Sequence, residues 1–385
     1  MVTESELVEL VDRRWGDLLD LVGRDNHQRY VDGETMPRRY LRMAGEAQLS
    51  GMAFPTRLGG GGADLRTWGL IMEEIAFRCA EPAFPIVLSM GTGVASLLAE
   101  AGRADLVEHY VKPIIAGRRT ATLAFSEDSD AFSMQTTVRR DGAEYLVSGT
   151  KDYITGALIA DVFLTYARGE TGALVGCLVH SDDPGVEIVP VGGIGFRTSG
   201  MGRLVMRDVR LVAARVVAVD GLSHSQSYLN LRRLILACLV TGMTRAVFDR
   251  CVARLRTAVR HGAPVIDLPN VQGAIGRMCI AIEANRALLH ATLGKADAGR
   301  TDRLFDVSLS AAKHFATEQA LFVADQALRV LGGHGYYGDY HYGMFLRDCV
   351  GLLCAAGTQE TLEINIGMLA ATRELPYPLA IGVSP

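Results

Sequence analysis

The residues best placed to do chemistry gather late in the chain. The stretch Gln326-Ala-Leu-Arg-Val-Leu-Gly332-Gly333-His-Gly335 ends a helix-periodic run on closely spaced glycines, and Gly357-Thr358-Gln-Glu360 follows it. Glycine has no Cβ, so backbone amides there can approach a phosphate or an adenine closely, and a nearby helix terminus adds its dipole. Earlier, Phe125-Ser126-Glu127-Asp128-Ser129-Asp130 is a polar turn after an apolar strand, and Tyr153 and Thr155 offer a ring that can stack and a hydroxyl that can donate or accept. Arg232 and Arg233 stand side by side in an apolar run. A guanidinium in such surroundings is costly without an anion, and it matches a carboxylate through two parallel hydrogen bonds. Proton acceptors near the glycine motif are His334, His341, Asp348, Glu360 and Glu363. Each reads more readily as structural than as a base.

These residues need elements to position them. Up to about residue 120 the apolar residues recur at helical spacing, as in Leu7, Val8, Val11, Leu18, Leu19 and Val22, with a break at Pro55 to Gly62. From about 121 to 220 the pattern becomes short and β-branched: 136–138, 145–147, 162–165, 174–179, 186–189 and 204–206, with turns at Asp141-Gly142 and Pro184-Gly185. Beyond that, helical runs are expected over 227–260, 270–298, 303–332 and 359–372. The fold class is therefore α+β multidomain: an N-terminal helical domain (1–120), a middle antiparallel β domain (121–220) and a C-terminal helical bundle (221–385).

Bulk properties narrow the function. A net charge of −4 and a pI near 6.2 give no electrostatic reason to expect nucleic acid. No run of eighteen uncharged apolar residues and no signal-peptide pattern is found, so a cytoplasmic protein with no membrane partner is expected. Seven scattered cysteines without Cys-x-x-Cys read as reduced thiols, with neither disulfides nor a metal site.

The all-α, β, all-α order, with Pro55-x-x-x-Gly-Gly, Gly149-Thr-Lys-x-Tyr-Ile-Thr155 and Gln326-x5-Gly-Gly-x-Gly in sequence, resembles the acyl-CoA dehydrogenase superfamily over nearly the whole chain. The resemblance implies FAD as cofactor and a C-terminal four-helix bundle. It implies that Phe125 and Ser126 touch the flavin ring, Ser129 the phosphates, Tyr153 and Thr155 the ring and its N5 edge, and Gln326, Gly332, Gly333, Thr358 and Glu360 the adenosine-diphosphate end. In relatives the glycine motif reaches the FAD of a neighbouring subunit, which implies a homodimer or homotetramer. The Thr-Glu-Pro-x-Ala-Gly-Ser-Asp loop of the family is shortened here to 126–130. The family's Arg-x-x-Phe-Gly becomes Ala258-Val-Arg260-His261-Gly262, leaving Arg256 or Arg260 as substitutes for its arginine.

The resemblance also exposes what is missing. Family members read Tyr-Glu-Gly-Thr-x-Glu, and the first Glu removes the substrate α-proton; the matching residue is Ala356, whose methyl group cannot take a proton. The isovaleryl type places its Glu within Leu-x-Leu-Glu-Arg, which here reads Leu229-Asn-Leu231-Arg232-Arg233, with Arg232 at the Glu position and available for a substrate carboxylate. Three functions stay open: an FAD-dependent oxidoreductase, in a biosynthetic setting, acting on an acyl thioester or β-keto acid carried by CoA, a carrier protein or nothing; a base-free decarboxylating oxidase or monooxygenase, like the epoxyketone-forming relatives; and a non-catalytic flavin-binding subunit.

Overall fold

The computed structural model describes residues 4–79, 81–128, 133–218, 221–260, 262–302, 304–338 and 340–372. Helices α1 (Glu4–Arg24), α2 (Asn26–Asp32), α3 (Arg39–Glu46), α4 (Leu65–Arg78) and α5 (Ala83–Glu100) come first. They are followed by α6 (Ala104–Leu106), a π turn at Val107–Val111 and α7 (Lys112–Ile115). Strands β1 (Ala121–Ala124), β2 (Thr137–Asp141), β3 (Glu144–Ile154), β4 (Val162–Arg168), β5 (Leu174–His180), β6 (Val186–Pro190), β7 (Gly202–Val212) and β8 (Val216–Ala218) follow. The chain ends in α8 (Gly221–Thr257), a small hairpin of β9 (Val259–Arg260) and β10 (Ala263–Pro264), then α9 (Pro269–Asp297), α10 (Val307–Leu331), α11 (Tyr340–Cys354) and α12 (Gln359–Ala371). The helix α11 was not among the runs expected from periodicity.

The described chain divides into two compact units. One holds 12–63 and 83–232. Its sheet runs β6-β7-β3-β2-β4-β5-β8, with β1 added on β4. Most pairs are antiparallel, as the sequence suggested, but β1 lies parallel to β4, as does the single bridge of β2 to β4, so the sheet is mixed. Strand β4 is buried on both faces, which fits its unbroken apolar run, whereas β7 alternates buried and exposed residues. The apolar side chains of α5, β1 and β4 form one core with Tyr228 of α8. Helix α5 is by length and composition apolar enough to cross a membrane, although Ser89, Thr92, Ser96 and Glu100 interrupt its apolar run; two-thirds (67%) of that window is buried inside the protein, as in a core helix.

The other unit holds the described residues within 4–11, 64–82 and 233–372. Asp64 caps α4 by accepting from Thr67 N at 2.6 Å, and Asp306 caps α10 by accepting from Leu309 N at 2.9 Å. A Cβ on Gly242 would meet the Glu73 carbonyl oxygen at 2.0 Å, so glycine is what lets α8 lie against α4. Buried Glu73 accepts from Arg245 and Arg286 at 2.8 and 3.0 Å and tethers α4, α8 and α9.

Candidate functional site

In the first unit, the flavin-ring candidates sit together where β1 and β3 end. Phe125 follows β1, and its ring meets Tyr166 edge-on at 5.5 Å. The exposed Ser126 accepts through its carbonyl from Asp152 N at 2.8 Å, tying the loop to β3. Thr155 is held to β1 by the Thr122 hydroxyl, which donates to its carbonyl at 2.7 Å. Between them the register of β3 against β7 slips from Lys151 to Ile154. Tyr153 stands in that bulge with φ +55° and is 63% exposed. Bulges re-aim side chains in this way, and a left-handed tyrosine is a strained conformation that the surrounding pairing must enforce. Ser129 lies outside the described residues.

Beneath this loop is a pair the sequence reading missed. Lys151 is fully buried and donates to Glu127 Oε1 at 2.7 Å and to the Phe125 carbonyl at 3.2 Å. Glu127 also accepts from Gln135 N and Thr136 N at 2.5 and 3.1 Å. One carboxylate thus ties residue 127 to the backbone at 135 and 136, and one ammonium pins it to β3. Burial pulls the Lys151 ammonium down to about 8, against the pull of Glu127. The available signal was scarcity: in a chain with only four lysines, two, Lys151 and Lys313, are wholly buried.

Arg232 lies in the same unit, on α8, and is 9% exposed. Its Nη1 donates to Ser89 Oγ of α5, whose own hydroxyl donates to the Ile86 carbonyl at 2.7 Å. Burial lowers its pKa, with Tyr228 nearby acting in the other direction. No described carboxylate lies within ion-pairing distance of it. Ser89 is a second residue that sequence reasoning missed, hidden in a run of small helical residues.

The remaining candidates belong to the second unit. Gln326 of α10 accepts from Arg277 of α9 at 3.1 Å. The helix ends on Gly332, at φ 57° and ψ −135°, and a Cβ on Gly332 or Gly333 would meet nothing within 4 Å. The backbone there faces open space, as close approach to a ligand requires. Thr358 caps α12 by accepting from Thr361 N at 3.3 Å, and exposed Glu360 follows in its first turn. Glu360 is held below its ordinary value by its own backbone and Thr358.

Ala356, half-buried, sits in a left-handed turn at φ +55°. Arg233 Nε donates to its carbonyl at 3.1 Å, and Lys313 donates to the Leu353 and Gly357 carbonyls, each at 3.0 Å, and to Gln359 Oε1 at 2.8 Å. Two cations therefore fix this turn. Of the alternative acceptors, Glu363 is engaged by His314 at 2.8 Å, His334 is exposed and Asp348 is buried. The His341 side chain and His261 lie outside the described residues. Arg256 and Arg260 are exposed.

The acyl-CoA dehydrogenase N-terminal, middle and C-terminal domain families match residues 20–118, 124–209 and 219–370. The chain is 31% identical to benzylmalonyl-CoA dehydrogenase of Aromatoleum aromaticum, over 87% of this chain and 90% of that protein. Its fold matches FkbI, for biosynthesis of the methoxymalonyl extender unit of the polyketide immunosuppressant Fk520, at TM-score 0.82 and 26% identity, covering 93% and 99% of the two chains. It also matches a glutaryl-CoA dehydrogenase from Mycobacterium smegmatis in complex with FADH2, at TM-score 0.88 and 22% identity, covering 96% and 94%.

Proposed function

The chain belongs to the acyl-CoA dehydrogenase family, and from that premise we propose that it is an FAD-dependent oxidoreductase acting on an acyl thioester or β-keto acid with no side-chain base at either position where relatives carry one. FAD is its cofactor. The observation that carries the reading is Tyr153, an aromatic face pushed outward in strained backbone beside the Phe125–Ser126 loop. Phe125, Ser126, Tyr153 and Thr155 would hold the ring, and Ser129 the phosphates. Gln326, the open backbone of Gly332 and Gly333, and Thr358 with Glu360 at the start of α12 would hold the adenosine-diphosphate end. When bound, FAD supplies the acceptor for a hydride equivalent from the substrate's β-carbon. The protein works as a homodimer or homotetramer; the exposed pair Tyr336 and Tyr337 beside the glycine motif, 75% and 79% exposed, suits a subunit contact.

A second reading is favoured by positions 232 and 356 together. A methyl group and a guanidinium cannot remove an α-proton. If the substrate carries a carboxylate on its α-carbon, loss of CO2 breaks that carbon–carbon bond and leaves its electron pair in the enolate, so no base is needed. Arg232 would orient that carboxylate. Benzylmalonyl-CoA, named in the 31%-identical relative, has a carboxylate of this kind.

The purified protein is expected to be yellow, with about one FAD per chain, and larger than a monomer by light scattering. Butyryl-CoA and octanoyl-CoA are expected to bleach the flavin anaerobically some 10²–10⁴-fold more slowly than in relatives with the base, the usual worth of a positioned general base. A colourless monomer that takes up no FAD overturns the assignment, and bleaching at the relatives' rate overturns the base-free chemistry.

A further inference from the structure

Resting on that reading, the geometry points to Arg232 and Ser89 as a built subsite that selects acyl substrates bearing a free carboxylate. The reason is a charge without a counter-charge. A guanidinium carries five N–H donors. Among the described residues Arg232 spends one contact on a neutral hydroxyl and meets no carboxylate. An isolated buried charge is expensive, and proteins ordinarily pair such groups.

The neighbours offer no substitute. Tyr228, one helical turn earlier on α8, donates its hydroxyl to Met90 Sδ at 3.3 Å and is pushed up to about 12 by burial, so it stays neutral. Ser89 already spends its proton on Ile86, so it can only accept from Arg232. The arrangement holds the guanidinium from one side. None of the Arg232 nitrogens is among the sealed, partnerless side-chain atoms, so the unspent N–H groups open on accessible space. The free fork fits the two oxygens of one carboxylate. The core that contains Tyr228 and Met90, neighbours of Arg232 and Ser89 along their helices, also packs against Phe125.

The test compares matched pairs that differ by one carboxylate, methylmalonyl-CoA against propionyl-CoA and glutaryl-CoA against butyryl-CoA. Binding to the protein as purified is measured by calorimetry, and its FAD content is measured separately. We expect one carboxylated partner to bind roughly 10- to 100-fold more tightly than its mate, the worth of one or two charge-assisted hydrogen bonds. Arg232→Met should remove that preference while retaining FAD and a cooperative unfolding transition. Arg232→Lys should recover part of it, since an ammonium cannot reproduce the fork. Ser89→Ala should weaken the preference without abolishing it. No preference in either pair, or a preference that survives Arg232→Met, overturns the subsite. Loss of the flavin assignment with a carboxylate preference intact would instead overturn the function proposed above and leave the subsite standing.

Discussion

Lys151 and Arg232 are both buried cations in the same unit, and they are treated oppositely. Lys151 has a carboxylate at 2.7 Å, a carbonyl at 3.2 Å and no exposure. Arg232 has a single serine hydroxyl. An ammonium closed in with its own anion is a fixed part of the fold. A guanidinium held from one side, with its fork left over, is arranged for something that arrives from outside. Lys313 is an intermediate case: among the described residues it pairs with no carboxylate, but three oxygens take its three donors. What separates a structural buried cation from a recognition group is therefore how completely its donors are spent, more than how deeply it is buried.

The largest effect should come from breaking the Lys151 pair. Glu127→Leu leaves an ammonium buried with only the Phe125 carbonyl, and removing one partner of such a pair typically costs about 3–5 kcal/mol. Urea unfolding should show this loss. The double variant Glu127→Leu/Lys151→Met should recover much of it, since no stranded charge remains. A double variant whose loss equals the sum of the two single losses would mean that the two groups are not coupled. The same pair predicts acid sensitivity. Burial alone would push the Glu127 carboxyl up, but hydrogen bonds from Lys151, Thr136 and Gln135 outweigh it and leave the group below its ordinary value. Its contribution is then fully present above about pH 4.3 and lost as the pH falls through the lower, folded value. Glu127→Gln should flatten that acid limb.

Lys313 should give a smaller, pH-marked effect. Lys313→Met strands the carbonyls of Leu353 and Gly357 and the Gln359 amide, a loss of about 1–3 kcal/mol for a buried unsatisfied acceptor. Burial brings the Lys313 ammonium down to about 8, whereas an unfolded lysine titrates near 10.4. Between those values the unfolded chain binds more protons than the folded one, so this group makes stability rise with pH across the window. Lys151 behaves likewise. Unfolding midpoints at pH 7.5 and 9.5 should therefore diverge more in the wild type than in Lys313→Met; equal divergence would place the titration elsewhere.

The order of helices, sheet and helices was legible because it rests on local periodicity, as in the β-branched runs of β4 and β7. Helix α11 escaped because Tyr-His-Tyr-Gly-Met-Phe mixes aromatics with glycine and shows no clean apolar stripe. The parallel pairing of β1 escaped because a four-residue strand carries no register of its own. At the candidate site, residue types at 125–126, 153–155 and 326–335 were readable as a motif. The outward turn of Tyr153 was not, since it depends on the slip of β3 against β7, a long-range contact. Ser89 and the depth of Lys151 are likewise set by what packs against them. An arginine in place of a glutamate could be seen in the sequence; that it meets no anion among the described residues could be seen only in three dimensions.

The smallest expected change in stability bears hardest on the comparison. If Arg232 served the fold, as Lys151 does, Arg232→Met would forfeit a hydrogen bond from a charged group, about 1.5–3 kcal/mol. If its charge is kept for a ligand, the free protein carries a desolvation cost that methionine, shorter but of comparable volume and apolar, does not. Ser89 loses one donor in the variant but keeps its own bond to Ile86, so no polar hydrogen is stranded. Replacing buried ionic groups by apolar residues of like volume is often neutral or stabilising, and function is commonly held at such a cost to stability. The ligand-free Arg232→Met protein should therefore unfold at the same urea concentration as the wild type or slightly higher, a gain of about 0–1 kcal/mol. Glutaryl-CoA or methylmalonyl-CoA at a fixed concentration should then raise the midpoint of the wild type more than that of the variant, because the form that binds the ligand more tightly is stabilised more. A variant that is clearly less stable than the wild type without ligand would put Arg232 in the same class as Lys151, as a structural cation.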